Sequence, residues 1–268
     1  MKTFLSRTRT LSRVILLAVL GYLMSISTLT AESILCEGEY PQHLQGFDAD
    51  SDAVYWSFTS VLVKTDKTGK LIQKIDVPSH HGDCCVMDGK LYVATHLGWP
   101  RKGRTSWIYV YNCADLSFIT RFSIPEFDYR GVDGITYYDG HFYVCIGKDP
   151  DDPTPFNLIL KTDKEFKILQ KIEVPGKTTY GVQAFTWAHG SFWLGTYSNI
   201  GTIQCDADFK VIAHHKIDAS TGIYELPATE KGEPRMMISR HFRPDNDPKK
   251  NCSNARSAVL RDGKLVWE

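Results

Sequence analysis

Short apolar runs alternate with polar turns along most of this chain, and they recur as related series. In the first series a strand, a polar turn and a second strand follow one another. Its copies at residues 64–78 and 161–175 align without a gap for fifteen residues, and a further copy lies at 111–125. Weaker copies lie at 204–218 and 260–268. Regular spacing of strands and turns is typical of all-β repeat proteins.

Two more series precede these copies in each repeat. One consists of hydrophobic strands that follow turns such as Asp88-Gly89 and Asp139-Gly140, and Asp-Gly between apolar runs is a strong hairpin signal. The other places a glycine in the first strand of each repeat. These glycines lie at positions 46, 82, 131, 181 and 222, separated by 36, 49, 50 and 41 residues. Small residues there would let the central strands pack closely together.

A spacing of about 40–45 residues suits a β-propeller blade of four strands. No segment shows a sustained helical period. The sequence therefore predicts an all-β fold, a five-bladed β-propeller with four antiparallel strands per blade, as one domain over residues 43–268. A six-bladed ring with one degenerate blade is the alternative.

The first residues differ in character from the repeats. Residues 1–13 carry four basic side chains and no acid, residues 14–29 are apolar, and Ala31 is a small residue suited to cleavage. This order predicts a signal peptide over residues 1–31, followed by an N-terminal segment over 32–42. We expect a secreted or periplasmic protein that is not held at a membrane after cleavage. An uncleaved signal anchor is the alternative.

Composition narrows the possible partners. Lys and Arg total 31 and so do Asp and Glu, and this balance gives no support for nucleic-acid binding. Hydrophobic residues make up 43% of the chain, as in a globular protein. We expect a monomer whose partner is a small polar ligand, a peptide or a glycan.

Seven cysteines are present, and no Cys-x-x-Cys pair supports a structural zinc module. Export permits disulfides. A bond between Cys36 and Cys252 would tie together the two ends of the chain.

Polar side chains beside the glycines of the first strands, and at the ends of the second strands, should converge at one mouth of the central channel. Five of the nine histidines are expected there, namely His43, His80, His81, His96 and His241. Of the neighbours His80 and His81, one should face inward and the other outward. A channel filled only with water is the alternative to a ligand site.

Histidines together with carboxylates suit one divalent metal, such as zinc, manganese or calcium, and they also suit acid–base catalysis. The expected metal ligands are His43, His81, His96 and His241. The expected catalytic residues are Asp83, Arg130 and Gln45, with Arg130 holding an anionic group. The expected substrate-binding residues are Asp133, Tyr180, Gln183, Tyr197 and Glu225.

Two short motifs resemble those of the glutaminyl-peptide cyclotransferases of the plant and bacterial type, which are five-bladed propellers. His43-Leu-Gln-Gly46 is similar to the Phe-Thr-Gln-Gly of that family, and His81-Gly-Asp-Cys84 is similar to its Phe-Gly-Glu-Gly. The resemblance implies a substrate-pocket role for Gln45 and a catalytic role for Asp83. Where the family has aromatic side chains, this chain has histidine at positions 43, 81 and 96, and Asp133 replaces a tryptophan.

These features predict an exported enzyme, whether a metal-assisted hydrolase, a lyase or a cyclotransferase-like enzyme, acting on a small polar substrate. The alternative is a non-catalytic binding or scaffold propeller that recognises a polypeptide or a glycan through one rim. In that case Trp99, Trp107 and the loop over residues 97–107 are the informative positions.

Overall fold

A computed structural model describes residues 32–98, 103–128, 130–197, 199–247 and 249–268. Strands dominate these residues, and the only helices among them are single 3-10 turns at Pro125–Phe127 and Pro244–Asn246. No helix in the described ranges is long and apolar enough to cross a membrane. The expected signal peptide at 1–31 lies outside the described residues.

The strands form five antiparallel sheets arranged as the blades of a propeller, so the predicted fold and blade number are confirmed. Blade 1 contains β2 (Leu44–Ala49), β3 (Val54–Phe58), β4 (Val61–Thr65) and β5 (Leu71–Asp76). Blade 2 contains β6 (His81–Met87), β7 (Lys90–Leu97), β8 (Thr105–Asn112) and β9 (Phe118–Ser123). Blade 3 contains β10 (Val132–Tyr138), β11 (His141–Ile146), β12 (Phe156–Thr162) and β13 (Ile168–Pro175). Blade 4 contains β14 (Ala184–Ala188), β15 (Ser191–Gly195), β16 (Thr202–Cys205) and β17 (Val211–His215).

Blade 5 joins the two ends of the described chain. It contains β18 (Ile223–Leu226), β19 (Arg235–Phe242), β20 (Asn251–Arg261), β1 (Ser33–Tyr40) and β21 (Lys264–Trp267). The long strand β20 has two partners along its outer edge, because β1 pairs with its first half and β21 with its second half. The propeller therefore includes residues from Ser33 onward, because β1 covers the part of the outer edge of β20 that β21 leaves uncovered.

Hydrophobic side chains pack between neighbouring blades. Phe142 of blade 3 packs against Tyr92 of blade 2, with ring centroids 4.5 Å apart. Phe47 and Trp56 fill the equivalent space in blade 1, and the indole N–H of Trp56 donates to Thr65 Oγ1 at 3.1 Å. Burial of this kind stabilises the ring by about 1.5–3 kcal/mol per large side chain.

The inner strands approach one another closely at glycines, which lie within the strand at Gly46 and immediately before it at Gly222. A Cβ on Gly46 would lie 2.5 Å from the Cα of Asp83 in the next blade. A Cβ on Gly222 would lie 2.4 Å from the Cβ of Phe47. Any side chain at these two positions would push adjacent blades apart, as the spacing of the glycines predicts.

All seven cysteines are buried free thiols. The expected bond between Cys36 and Cys252 is absent, and the strand register explains why. Cys36 lies opposite Ser253, and Cys252 directly precedes Ser253 in β20, so the Cys252 side chain points to the other face of the sheet.

Candidate functional site

A pocket of about 430 Å³ opens where the first strands of the blades begin and the second strands end. This is the mouth of the central channel that the repeats predict. The described residues that line it are His43, Gln45, His80, His96, Arg130, Asp133, Lys148, Tyr180, Gln183, Tyr197, His241 and Arg243. Nine of them were expected from the sequence as catalytic, metal-binding or substrate-binding residues.

The structure places three expected site residues outside this lining. His81 is fully buried, and its two ring nitrogens lie 2.7 Å from the carbonyl oxygen of Pro78 and 2.8 Å from the hydroxyl of Tyr111. His80 faces the pocket instead, because its backbone N–H and C=O pair with those of His96. Directly paired residues of adjacent strands share a face of the sheet, which puts His80 beside His96.

Asp83 lies in the wall of the channel and is almost fully buried. Its Oδ2 accepts hydrogen bonds from the backbone N–H groups of Ile135, at 3.2 Å, and of Phe185, at 2.9 Å. These donors belong to β10 and β14, so one carboxyl group of β6 connects the inner strands of three blades. Burial raises the pKa of Asp83 well above its usual value.

Glu225 lies near the opposite end of the channel. Its carboxylate accepts the backbone N–H of His189 at 2.8 Å, in the turn that connects β14 with β15. Turns between first and second strands lie on the face of the ring away from the pocket. Glu225 therefore contacts a structural turn rather than the pocket.

Neutral imidazoles line one side of the pocket. The Gln45 amide nitrogen lies 2.6 Å from His43 Nε2 and 3.0 Å from His80 Nε2. An amide nitrogen only donates, so both imidazole nitrogens act as acceptors in this arrangement. Burial lowers the pKa of His80 to about 3 and that of His43 to about 4, so both rings are uncharged at neutral pH. Burial and the nearby Arg243 also lower the pKa of His241.

His96 differs from these rings because a carboxylate contacts it. Its Nδ1 lies 3.3 Å from Asp133 Oδ1. Burial disfavours the charged ring, but the hydrogen bond and the negative charge of Asp133 outweigh burial and raise the pKa of His96. The other carboxylate oxygen of Asp133 accepts a hydrogen bond from the Gln183 amide at 3.1 Å. The His80 ring stacks on His96, with centroids 4.6 Å apart.

Three cationic side chains also line the pocket. Arg130 contacts the Asp152 carboxylate at 3.3 Å. Lys148 donates to the carbonyl oxygens of Thr154 and Phe156 at 2.7 and 2.9 Å, and burial lowers its pKa. Arg243 donates to the neutral side chain of Asn251 at 3.1 Å.

Two of these cations, Lys148 and Arg243, were not expected from the sequence. Lys148 follows the end of β11 by two residues, as Tyr197 follows β15. The same offset that identifies Tyr197 could have identified Lys148. Asp133 is the only carboxylate among the described lining residues, so positive charge exceeds negative charge in the pocket. This balance favours a ligand with negative charge.

The Gln45 amide nitrogen, rather than open space, lies where the Nε2 atoms of His43 and His80 converge. Across the described ranges no group of three or more His, Cys, Asp or Glu side chains is arranged to hold a metal ion. Metal binding therefore stays a prediction from the sequence, and the arrangement gives it no added support.

Solved structures that match this chain do so at low sequence identity. A putative exported protein from Bacteroides fragilis matches over 84% of this chain and 77% of its own, with a TM-score of 0.47 and 11% identity. Hydrazine synthase from Kuenenia stuttgartiensis matches over 86% of this chain and 66% of its own, with a TM-score of 0.45 and 15% identity. A protein of unknown function from Bacteroides caccae matches over 81% and 70%, with a TM-score of 0.43 and 7% identity. No family model and no curated protein matches the chain.

Proposed function

We propose that this protein is an exported propeller enzyme that binds a small, negatively charged polar molecule in the channel pocket. Its acid–base group is the pair formed by His96 and Asp133. The observation that carries the proposal is this pair, with Nδ1 and Oδ1 3.3 Å apart, in a pocket with three cations and one carboxylate.

Arg130 and Lys148 hold the anionic group of the ligand. Both come from blade 3, and Asp152 lies near both. The Asp152 carboxylate contacts Arg130, and its negative charge favours the protonated form of Lys148. Two of the three ammonium N–H donors of Lys148 are occupied by backbone carbonyls, which leaves one for a ligand. A positioned arginine and lysine can bind a carboxylate more tightly than a hydroxyl because the hydrogen bonds are charge-assisted.

His96 exchanges the proton. Asp133 holds Nδ1 and fixes the orientation of the ring, so a proton moves to or from the ligand through Nε2. The carboxylate of Asp133 raises the pKa of His96, which favours the protonated ring and lets it donate a proton as a general acid. In a cyclotransferase-like mechanism this role would belong to Asp83, but that carboxyl group is hydrogen-bonded in the channel wall and does not line the pocket.

Binding of a peptide or a glycan through the rim at residues 97–107, as in a scaffold propeller, has less support. Trp99 lies outside the described residues. The Trp107 ring is covered by the Arg121 guanidinium, 4.1 Å from the ring centroid, and so is not an open platform for a peptide or a glycan.

The experiment measures binding and turnover together. Calorimetric titration of the purified protein with succinate, benzoate and glucuronate is compared with titration of the neutral amide of each acid. We expect at least one acid to bind tenfold more tightly than its amide. Arg130→Gln should weaken that binding at least tenfold, and the matched control Arg121→Gln, outside the pocket, should leave it within twofold.

Proton NMR of the same mixtures then reports chemical change in the bound acid. His96→Gln should bind the acid within threefold of the unmodified protein and should lose turnover. Equal binding of every acid and its amide would contradict the proposal. Binding of an acid without any chemical change in the unmodified protein would instead support the non-catalytic binding propeller.

A further inference from the structure

Two tyrosines lie beside the cationic side of the pocket. The rings of Tyr180 and Tyr197 meet edge to face with centroids 6.3 Å apart, and each residue is a little over one-third exposed. The backbone N–H of Lys148 donates to the carbonyl oxygen of Tyr180 at 3.1 Å, which places this aromatic pair next to a cation. A ligand anchored there by an anionic group would bring its adjoining atoms against two aromatic rings, which favour apolar C–H surface.

The remaining lining is rich in hydrogen-bonding groups without charge. Gln45 and Gln183 are amides, and His43, His80 and His241 have lowered pKa values. A neutral imidazole offers one donor and one acceptor, and an amide offers both kinds of group. A hydroxyl also donates and accepts, so a ligand with several hydroxyls matches this side of the pocket. The Nδ1 of His80 is buried without a hydrogen-bond partner among the described residues. An aromatic acid would leave such a group unsatisfied, at a cost of about 1–3 kcal/mol for each group.

We infer that the ligand is a hexuronic acid, a sugar whose ring carries a carboxylate. This inference rests on the proposed function, since it assigns the anionic group to the uronate carboxylate. Arg130 and Lys148 bind the carboxylate, Tyr180 and Tyr197 contact the C–H face of the ring, and the amides and imidazoles bind the hydroxyls. The pocket volume of about 430 Å³ is in the usual range for a small-molecule site.

The test compares glucuronate with molecules that lack one of its three features. Glucose lacks the carboxylate, benzoate lacks the hydroxyls, and succinate lacks the ring. By calorimetry, glucuronate or galacturonate should bind at least tenfold more tightly than each of the three.

Variants of one tyrosine test the aromatic contact. Tyr197→Ala should weaken glucuronate binding at least tenfold and should change succinate binding less than threefold. Phe242→Ala is the matched control, because this aromatic side chain is exposed to a similar degree and does not line the pocket. Tyr197→Phe keeps the ring and should keep glucuronate binding within threefold, and the retained succinate binding of Tyr197→Ala excludes misfolding as the cause of a loss.

The outcomes separate the two proposals. Benzoate or succinate binding more tightly than both uronates would overturn the uronate assignment and leave the anion pocket standing. Glucose binding as tightly as glucuronate would overturn the anion pocket itself. Unchanged glucuronate binding by Tyr197→Ala would show that the sugar ring does not contact the tyrosine pair.

Discussion

Replacing Asp83 with alanine should destabilise the propeller strongly. One oxygen of this buried carboxyl group accepts two backbone N–H groups, from Ile135 and Phe185, and so connects blades 2, 3 and 4. In Asp83→Ala both donors lose their partner. An orphaned buried N–H costs about 1–3 kcal/mol, so the loss should be about 2–6 kcal/mol. That is a large part of the roughly 5–15 kcal/mol that stabilises a typical protein.

The matched variant is Asp83→Asn, whose amide oxygen can take the place of Oδ2 and accept both bonds. Its loss should be less than half that of the alanine variant. Equilibrium unfolding in urea, followed by the fluorescence of the buried Trp56 and Trp193, measures both. An alanine variant as stable as the unmodified protein would refute the structural role. A stable Asp83→Asn variant that binds ligand normally but has lost turnover would instead return Asp83 to catalysis.

Three further predictions follow from other parts of the fold. Burial lowers the pKa of His81 to about 4 in the folded protein, so the free energy of unfolding should fall as the pH falls from about 6.5 to 4. His81→Gln should reduce this slope by about 1.4 kcal/mol per pH unit. Urea unfolding between pH 4 and 7.5 that gives an equal slope in both proteins would contradict this prediction. Deleting residues 32–42 removes the buried Ile34, Cys36 and Tyr40 and should abolish cooperative unfolding, whereas an intact transition would show that β1 is dispensable. Burial raises the pKa of the thiols, so iodoacetamide at pH 7.5 should modify them only after denaturation. Alkylated cysteines detected by mass spectrometry in the native protein would contradict this.

The architecture was predictable because three separate series of repeated segments indicate the same blade pattern. Several blades have their own turn signals, and each repeat has a glycine within or just before its inner strand, so the count of five did not depend on any single segment. The N-terminal strand β1 was missed because it resembles no repeat. Only the unpaired edge that it covers, along the first half of β20, explains its position.

The site was predictable to the level of which strand ends meet, and less so for single side chains. The choice between His80 and His81 depends on pairing across to β7, where His80 lies in register with His96 and His81 with Thr95. Asp83 and Glu225 are acids on inner strands, yet both accept backbone N–H groups of neighbouring blades. Sequence alone does not distinguish a carboxylate that joins strands from one that faces a ligand.

The central claim is that one imidazole of the pocket is prepared for proton transfer while its neighbours stay neutral. The most direct test is an NMR titration of the histidine rings in the unmodified protein and in Asp133→Asn. We predict that the pKa of His96 lies above 6.5, that those of His43 and His80 lie at about 4 and 3, and that Asp133→Asn lowers the value for His96. A His96 ring that titrates below its usual pKa, or one unaffected by Asp133→Asn, would contradict the account.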